Sequence, residues 1–107
     1  MALTPMEEKT SLKSTVLTYT SLTSGKSFSD VDITGYDAYE IMIGDGTSRG
    51  YHNAIFIQKS IANRIFRVPL FNSTGAFVVA AEVNFTDKTI STTNNSYYAY
   101  LYGITFE

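Results

Sequence analysis

Phe77-Val78-Val79-Ala80-Ala81-Glu82-Val83-Asn84-Phe85 sets Phe77, Val79, Ala81, Val83 and Phe85 in strict alternation with Val78, Ala80, Glu82 and Asn84. Successive side chains of a strand point to opposite faces, so a period of two marks a strand with one face in a core. The second face fades from apolar to polar along the same run. Downstream, Asp87-Lys88 reads as a turn, Thr89 to Thr92 as a short polar strand, and Asn94-Asn95-Ser96 as another turn. The chain then alternates Tyr98, Tyr100, Tyr102, Ile104 and Phe106 against Tyr97, Ala99, Leu101, Gly103 and Thr105. Upstream, Phe71 to Gly75 is a turn, preceded by Ile65, Arg67 and Pro69 alternating with Phe66, Val68 and Leu70. Pro69 has no N–H to give to a ladder, which places it on an edge strand or at a strand end.

The pattern continues toward the N-terminus. Gln58 to Asn63 is polar and suits a turn or one short helical turn. Tyr51 to Ile57 is apolar on both faces, as expected of a strand that is central or covered on both sides. Gly44 to Gly50 contains three glycines and reads as an exposed hairpin tip. Before it, Tyr39, Ile41 and Ile43 share one face of a strand and Ala38, Glu40 and Met42 the other. Val31 to Ile33 begins an extended run. Ser24-Gly25-Lys26 is a turn, and Leu12 to Thr20 is a first strand whose inward face is ambiguous. Residues 1–11, with Pro5, read as a flexible tail or linker. No helical pattern separates the strands, so 12–107 is expected to form a single all-β domain. An antiparallel β-sandwich, jelly-roll-like, with seven to eight strands, fits a spacing of roughly ten residues per strand.

Composition agrees. The 107 residues include 14 Thr, 11 Ser, 9 Ile, 6 Val, 8 Tyr and 7 Phe, side chains that pack well on a pleated surface. Charged residues are only 17%, so solubility rests on hydroxyl and amide groups. With no cysteine, disulfides, zinc-thiolate sites and iron–sulfur clusters are excluded. The net charge of −2 supplies no basic footprint for nucleic acid, and no run is long and apolar enough for a membrane helix. Met1 to Lys13 carries Glu7, Glu8 and Lys9 and no apolar stretch, so no signal peptide is expected there. Apolar residues at 44% exceed what one sandwich core uses, which suggests a subunit interface and a homo-oligomer.

Motifs for catalysis are thin. His52 is the single imidazole, in Tyr51-His52-Asn53, without a nucleophile elbow anywhere. Glu40 and Glu82 read as solvent-facing positions on core-forming strands rather than as a glycosidase pair. Asp30-Val31-Asp32-Ile33-Thr34-Gly35 begins like a calcium loop, but Ile41 stands where the closing carboxylate belongs. No metal and no cofactor are therefore expected, and the protein is read as a non-enzyme. The chemistry this composition permits best is sugar binding, through aromatic faces that stack and amides that hydrogen-bond hydroxyls. Tyr97, Asn94, Asn95 and Asp87 are the candidate ligand residues, with Arg49 in the glycine loop as a candidate grip on an acidic glycan. Tyr98, Tyr100 and Tyr102 share one face and read as a packing stripe, either between sheets or between subunits.

Tyr36-Asp37-Ala38-Tyr39-Glu40-Ile41-Met42-Ile43 resembles an early strand of bacteriophage and prophage tail-fibre or receptor-binding head domains. Ala99-Tyr100-Leu101-Tyr102-Gly103-Ile104-Thr105-Phe106 is similar to their closing strand. The resemblance implies a β-sandwich head, a trimer about a three-fold axis, attachment to host cell-surface saccharide, and a place on the virion after synthesis in the host cytoplasm. It carries over no ligand-contacting residue, and the chain departs from such proteins in lacking a shaft repeat. The alternative is a purely structural particle protein that contacts other tail, baseplate or capsid proteins and has no carbohydrate site.

Overall fold

The computed structural model describes residues 11–44 and 52–107. Among these, the strands are β1 (Leu12–Thr20), β2 (Lys26–Ser27), β3 (Ala38–Gly44), β4 (His52–Gln58), β5 (Ile65–Phe71), β6 (Phe77–Asn84), β7 (Thr89–Thr92) and β8 (Tyr98–Phe106). One 3-10 turn, Lys59–Ile61, follows β4. The strands form two antiparallel sheets, ordered β1-β8-β3-β4 and β2-β7-β6-β5. Pairing is nested: the first strand lies beside the last and the second beside the seventh, while β3–β4 and β5–β6 are hairpins within one sheet. The expected all-β sandwich is the observed fold. The expected tail lies outside the described residues except for Ser11, whose carbonyl accepts a hydrogen bond from the Glu107 N–H at 3.1 Å.

The inner faces make one core. Ile41 and Ile43 of β3 and Ala99 and Leu101 of β8 meet Val79, Ala81 and Val83 of β6, Val68 and Leu70 of β5 and Ile90 of β7. Each such aliphatic side chain, taken fully out of water, contributes about 1.5–3 kcal/mol. Phe85, one residue beyond β6, keeps the inward phase of its strand and closes one end of the core. Its ring centroid lies 5.5 Å from Tyr39, 5.8 Å from Phe66 and 6.5 Å from Phe28, each in an edge-to-face arrangement. The Tyr39 hydroxyl, buried among them, donates to the Ile33 carbonyl.

Two strand expectations are corrected. β4 is an edge strand, not a central one: Ile57 is buried in the core, whereas Phe56 is 55% exposed on the outer face. Both of its faces are apolar because the outer face of its sheet is apolar too. Val31 to Ile33 is not extended. The Asp32 carboxylate accepts hydrogen bonds from the Thr34 N–H at 2.9 Å and its hydroxyl at 2.7 Å, a local turn that competes with ladder pairing. The second strand is instead the two-residue β2, too short to show a period. Pro69 does lie on an edge strand, β5, where its carbonyl accepts from the Asn53 side chain of β4 at 2.8 Å and ties the two sheets together.

The ambiguous face of β1 also has a cause. Val16 pairs with Tyr102 but Thr18 with Leu101, so Leu17 is an extra residue in a β-bulge. Side chains change phase there: Leu12, Ser14 and Val16 point outward before it, and Tyr19 points outward after it. Thr18 turns inward, and its buried hydroxyl finds no partner among the described residues. Replacing it by the isosteric Val removes that unsatisfied group. Thr18→Val is expected to be neutral or to stabilise by about 1 kcal/mol in urea unfolding.

Gly103 is the most closely covered of the described glycines. A Cβ built there would stand 2.5 Å from the ring of Tyr36, which lies across it and meets Tyr39 edge-on at 6.3 Å. Gly103→Ala is expected to cost about 1–3 kcal/mol in denaturant unfolding, the usual penalty of overpacking. Gly35→Ala, which meets nothing within 4 Å, is the control and should stay within about 0.5 kcal/mol of the parent. Equal losses at both positions would show that the Tyr36 contact is not the cause.

Candidate functional site

Alternation along β8 sends Ala99, Leu101 and Gly103 inward and Tyr98, Tyr100 and Tyr102 to the outer face of the sheet. The three rings run in a row, 6.3 Å from Tyr98 to Tyr100 and 5.9 Å from Tyr100 to Tyr102, the latter pair stacked. Tyr19 of β1 stacks on Tyr100 from the side at 5.5 Å, and the Lys26 ammonium sits 5.3 Å above the Tyr19 ring. Cross-strand register widens the row into a surface. Val16, Tyr102, Glu40 and Phe56 stand opposite one another across four strands, as do Tyr19, Tyr100, Met42 and Ala54. Leu12, Val16, Tyr19, Phe56 and Phe106 are each more than two-fifths exposed there. Of the two sequence readings of the stripe, the one between the sheets is excluded by this geometry.

The other sheet shows water a different surface. Arg67, Glu82 and Ser91 stand opposite one another on its outer face, beside Asn84 paired with Thr89. That face is polar along this row but not throughout: Ile65, Phe71 and Phe77 are each at least half exposed, and the rings of Phe71 and Phe77 meet edge-on at 6.2 Å.

The candidate ligand residues are not brought together. Asn94 and Asn95 lie in the connection from β7 to β8, where the Asn94 side chain accepts from the Ser96 N–H at 3.0 Å. Asp87 lies beyond the opposite end of β7 and exchanges hydrogen bonds with Asn84 at 2.9 and 3.1 Å. Tyr97, named as a candidate ligand residue, is half-buried and packs against the core. Arg49 is outside the described residues. Asp30, Asp32 and Asp37 do not converge either. Asp37 accepts from the Phe106 N–H at 2.8 Å, and no group of three carboxylate, histidine or cysteine side chains suited to a metal occurs among the described residues. His52 is exposed at the start of β4.

A solvent-open cavity of about 450 Å³ occurs where no ligand residue was expected, at the end of the sandwich closed by Phe85. Ile33, Tyr39, Ala62 and Phe85 give it an apolar floor. Thr34, Asn63 and Thr86 stand around it with two ammonium groups, Lys59 from the 3-10 turn after β4 and Lys88 from the β6–β7 turn. Lys59 donates to the Thr34 carbonyl at 3.1 Å and the Thr86 hydroxyl to the Asn63 carbonyl at 2.9 Å, so the rim is tied together between separate connections. Lys88 holds a left-handed backbone, φ 55°, and its carbonyl accepts from the Phe28 N–H at 2.8 Å. These residues are scattered over the sequence; Ile33 and Thr34 fall in the stretch weighed as a calcium loop and Lys88 follows Asp87, but nothing in the sequence joins them to Lys59, Asn63 or Thr86. With both regions described, comparison with known proteins adds nothing: no family model, no curated protein and no solved structure matches the chain.

Two phenols are shifted upward. Burial raises the pKa of Tyr39, with Tyr36 and Asp32 adding to it; burial also raises that of Tyr102, with Tyr100 and then Glu40 adding. A group whose folded pKa exceeds its unfolded one leaves stability intact below the unfolded value and lowers it as pH climbs. The urea midpoint is therefore expected to hold up to about pH 9 and fall above about pH 10. Tyr102→Phe should flatten that fall; an unchanged slope would place the titration elsewhere.

Proposed function

We propose that this domain is a non-enzymatic structural subunit of a phage or prophage particle, assembled with further copies of itself through its tyrosine face. The observation that carries the reading is the row of stacked tyrosines on the outer face of the β1-β8-β3-β4 sheet, with Val16, Tyr19 and Phe56 exposed beside it. A four-stranded face of such strands measures roughly 20 by 25 Å in projection, at the upper limit of what monomers leave uncovered. Tyrosine suits a subunit seam because its ring buries area while its hydroxyl tolerates a wet rim. A second copy is the favoured occupant. Glu40 is the one carboxylate in the central rows, and it is half-buried, so like faces meet with little repulsion. The row of rings runs along β8, between β1 and β3, a line that three copies can set against a common axis. The particle and the trimer come from the resemblance of Tyr36–Ile43 and Ala99–Phe106 to tail-fibre heads.

Attachment to cell-surface saccharide is a second reading. The feature that favours it is the cavity at the end of the sandwich, not the turn carrying Asn94 and Asn95.

Light scattering at micromolar concentration is expected to give about three times the chain mass, and Tyr100→Ser with Phe56→Ser to shift the protein to monomer. Loss of two central rings should weaken association by at least about thirtyfold, the scale of an interface hot spot. Arg67→Ser, in the polar row of the other sheet, should leave it unchanged. A well-folded parent that remains monomeric would end the reading.

A further inference from the structure

We infer that the cavity between Lys59 and Lys88 is a binding site for a carboxylated sugar residue at the end of a glycan. The inference rests on the saccharide reading of that cavity and not on the oligomer. About 450 Å³ lies within the range of small-molecule sites and suits one or two sugar rings. Its walls divide the chemistry as such a ligand requires. The floor of Ile33, Tyr39 and Phe85 offers apolar carbon to the C–H face of a pyranose, while Thr34, Asn63 and Thr86 offer hydroxyl and amide groups at the rim.

The two lysines set the charge preference. Lys59 spends one N–H on the Thr34 carbonyl and keeps two donors. Lys88 enters from the opposite sheet, held by the left-handed turn that brings its side chain to the cavity. Among the described residues, no carboxylate lines the cavity. Asp32 is the acidic group that faces Lys88 electrostatically, and its carboxylate is engaged by Thr34. Two ammonium groups over an apolar floor select an anion that carries a hydrophobic body. A neutral hexose would bring no counter-charge to the two cations beyond that of Asp32 near Lys88, and a bare anion would leave the floor wet. The cavity opens between the sheets at one end of the sandwich, so burial of the tyrosine face in an oligomer leaves it accessible.

The test is amide NMR titration of the whole protein with glucuronate, glucose and acetate as separate probes. Saturable shifts of Thr34, Lys59, Asn63, Thr86 and Lys88 with glucuronate, at least about tenfold tighter than with either other probe, are expected for a charge-assisted contact added to ring stacking. Lys59→Gln and Lys88→Asn should each weaken glucuronate by about tenfold or more, and added salt should weaken it further. Asn tolerates the left-handed backbone at position 88, so an unchanged amide spectrum elsewhere keeps that variant interpretable. Equal binding of glucose overturns the acidic preference but leaves a saccharide site standing. Equal binding of acetate shows a simple anion site and overturns the sugar. No shift with any probe overturns both this inference and the saccharide reading.

Discussion

The register of β8 is the constraint on which the rest of the molecule depends. Held between β1 and β3, this strand sends small and aliphatic groups into the core and tyrosines out of it. A slip of one residue would exchange the two sets, burying three phenols and exposing Ala99 and Leu101. It would also move Gly103 from beneath Tyr36, where no side chain larger than hydrogen fits. The glycine therefore acts as a register mark. The aromatic ring that covers it leads on to Tyr39 and Phe85, and through them to the cavity.

The two outer faces express different demands on one scaffold. On the β6 side Arg67, Glu82, Ser91 and Asn84 give water a polar row, next to the exposed Ile65, Phe71 and Phe77. The β8 side has aromatic rings in offset stacks, an arrangement that already satisfies part of their attraction within the subunit. Such a preformed surface loses little side-chain freedom when it is covered, because neighbours along and across the strands hold each ring in place.

Strand positions were legible where alternation was long and unbroken. Phe77 to Phe85 and Tyr98 to Phe106 stand almost as read, because burial on one face imposes a period of two that composition cannot disguise. β1 was legible as a strand but not as a surface, since the bulge at Leu17 reverses its phase midway. β4 misled because an apolar outer face gives an edge strand the pattern of a central one. Asp32 shows a third kind of failure: its hydrogen bonds to Thr34 decide the local backbone, and hydrophobicity does not record them. The cavity was illegible for a simpler reason. Lys59, Thr34 and Lys88 are distant in sequence and meet only because the sheets close over Phe85.

The nested pairing of β1 with β8 has a geometric consequence for how the domain joins other chains. Ser11 and Glu107 sit hydrogen-bonded side by side, so the two ends of the described domain lie at the same pole. A fold with adjacent exits can be spliced into a surface loop of a larger protein without stretching its host, and its ends can be joined by a short bridge and reopened elsewhere. The β5–β6 turn, at residues 72–76, is an exposed place for such an opening. Its Gly75 has a positive φ and open space around it.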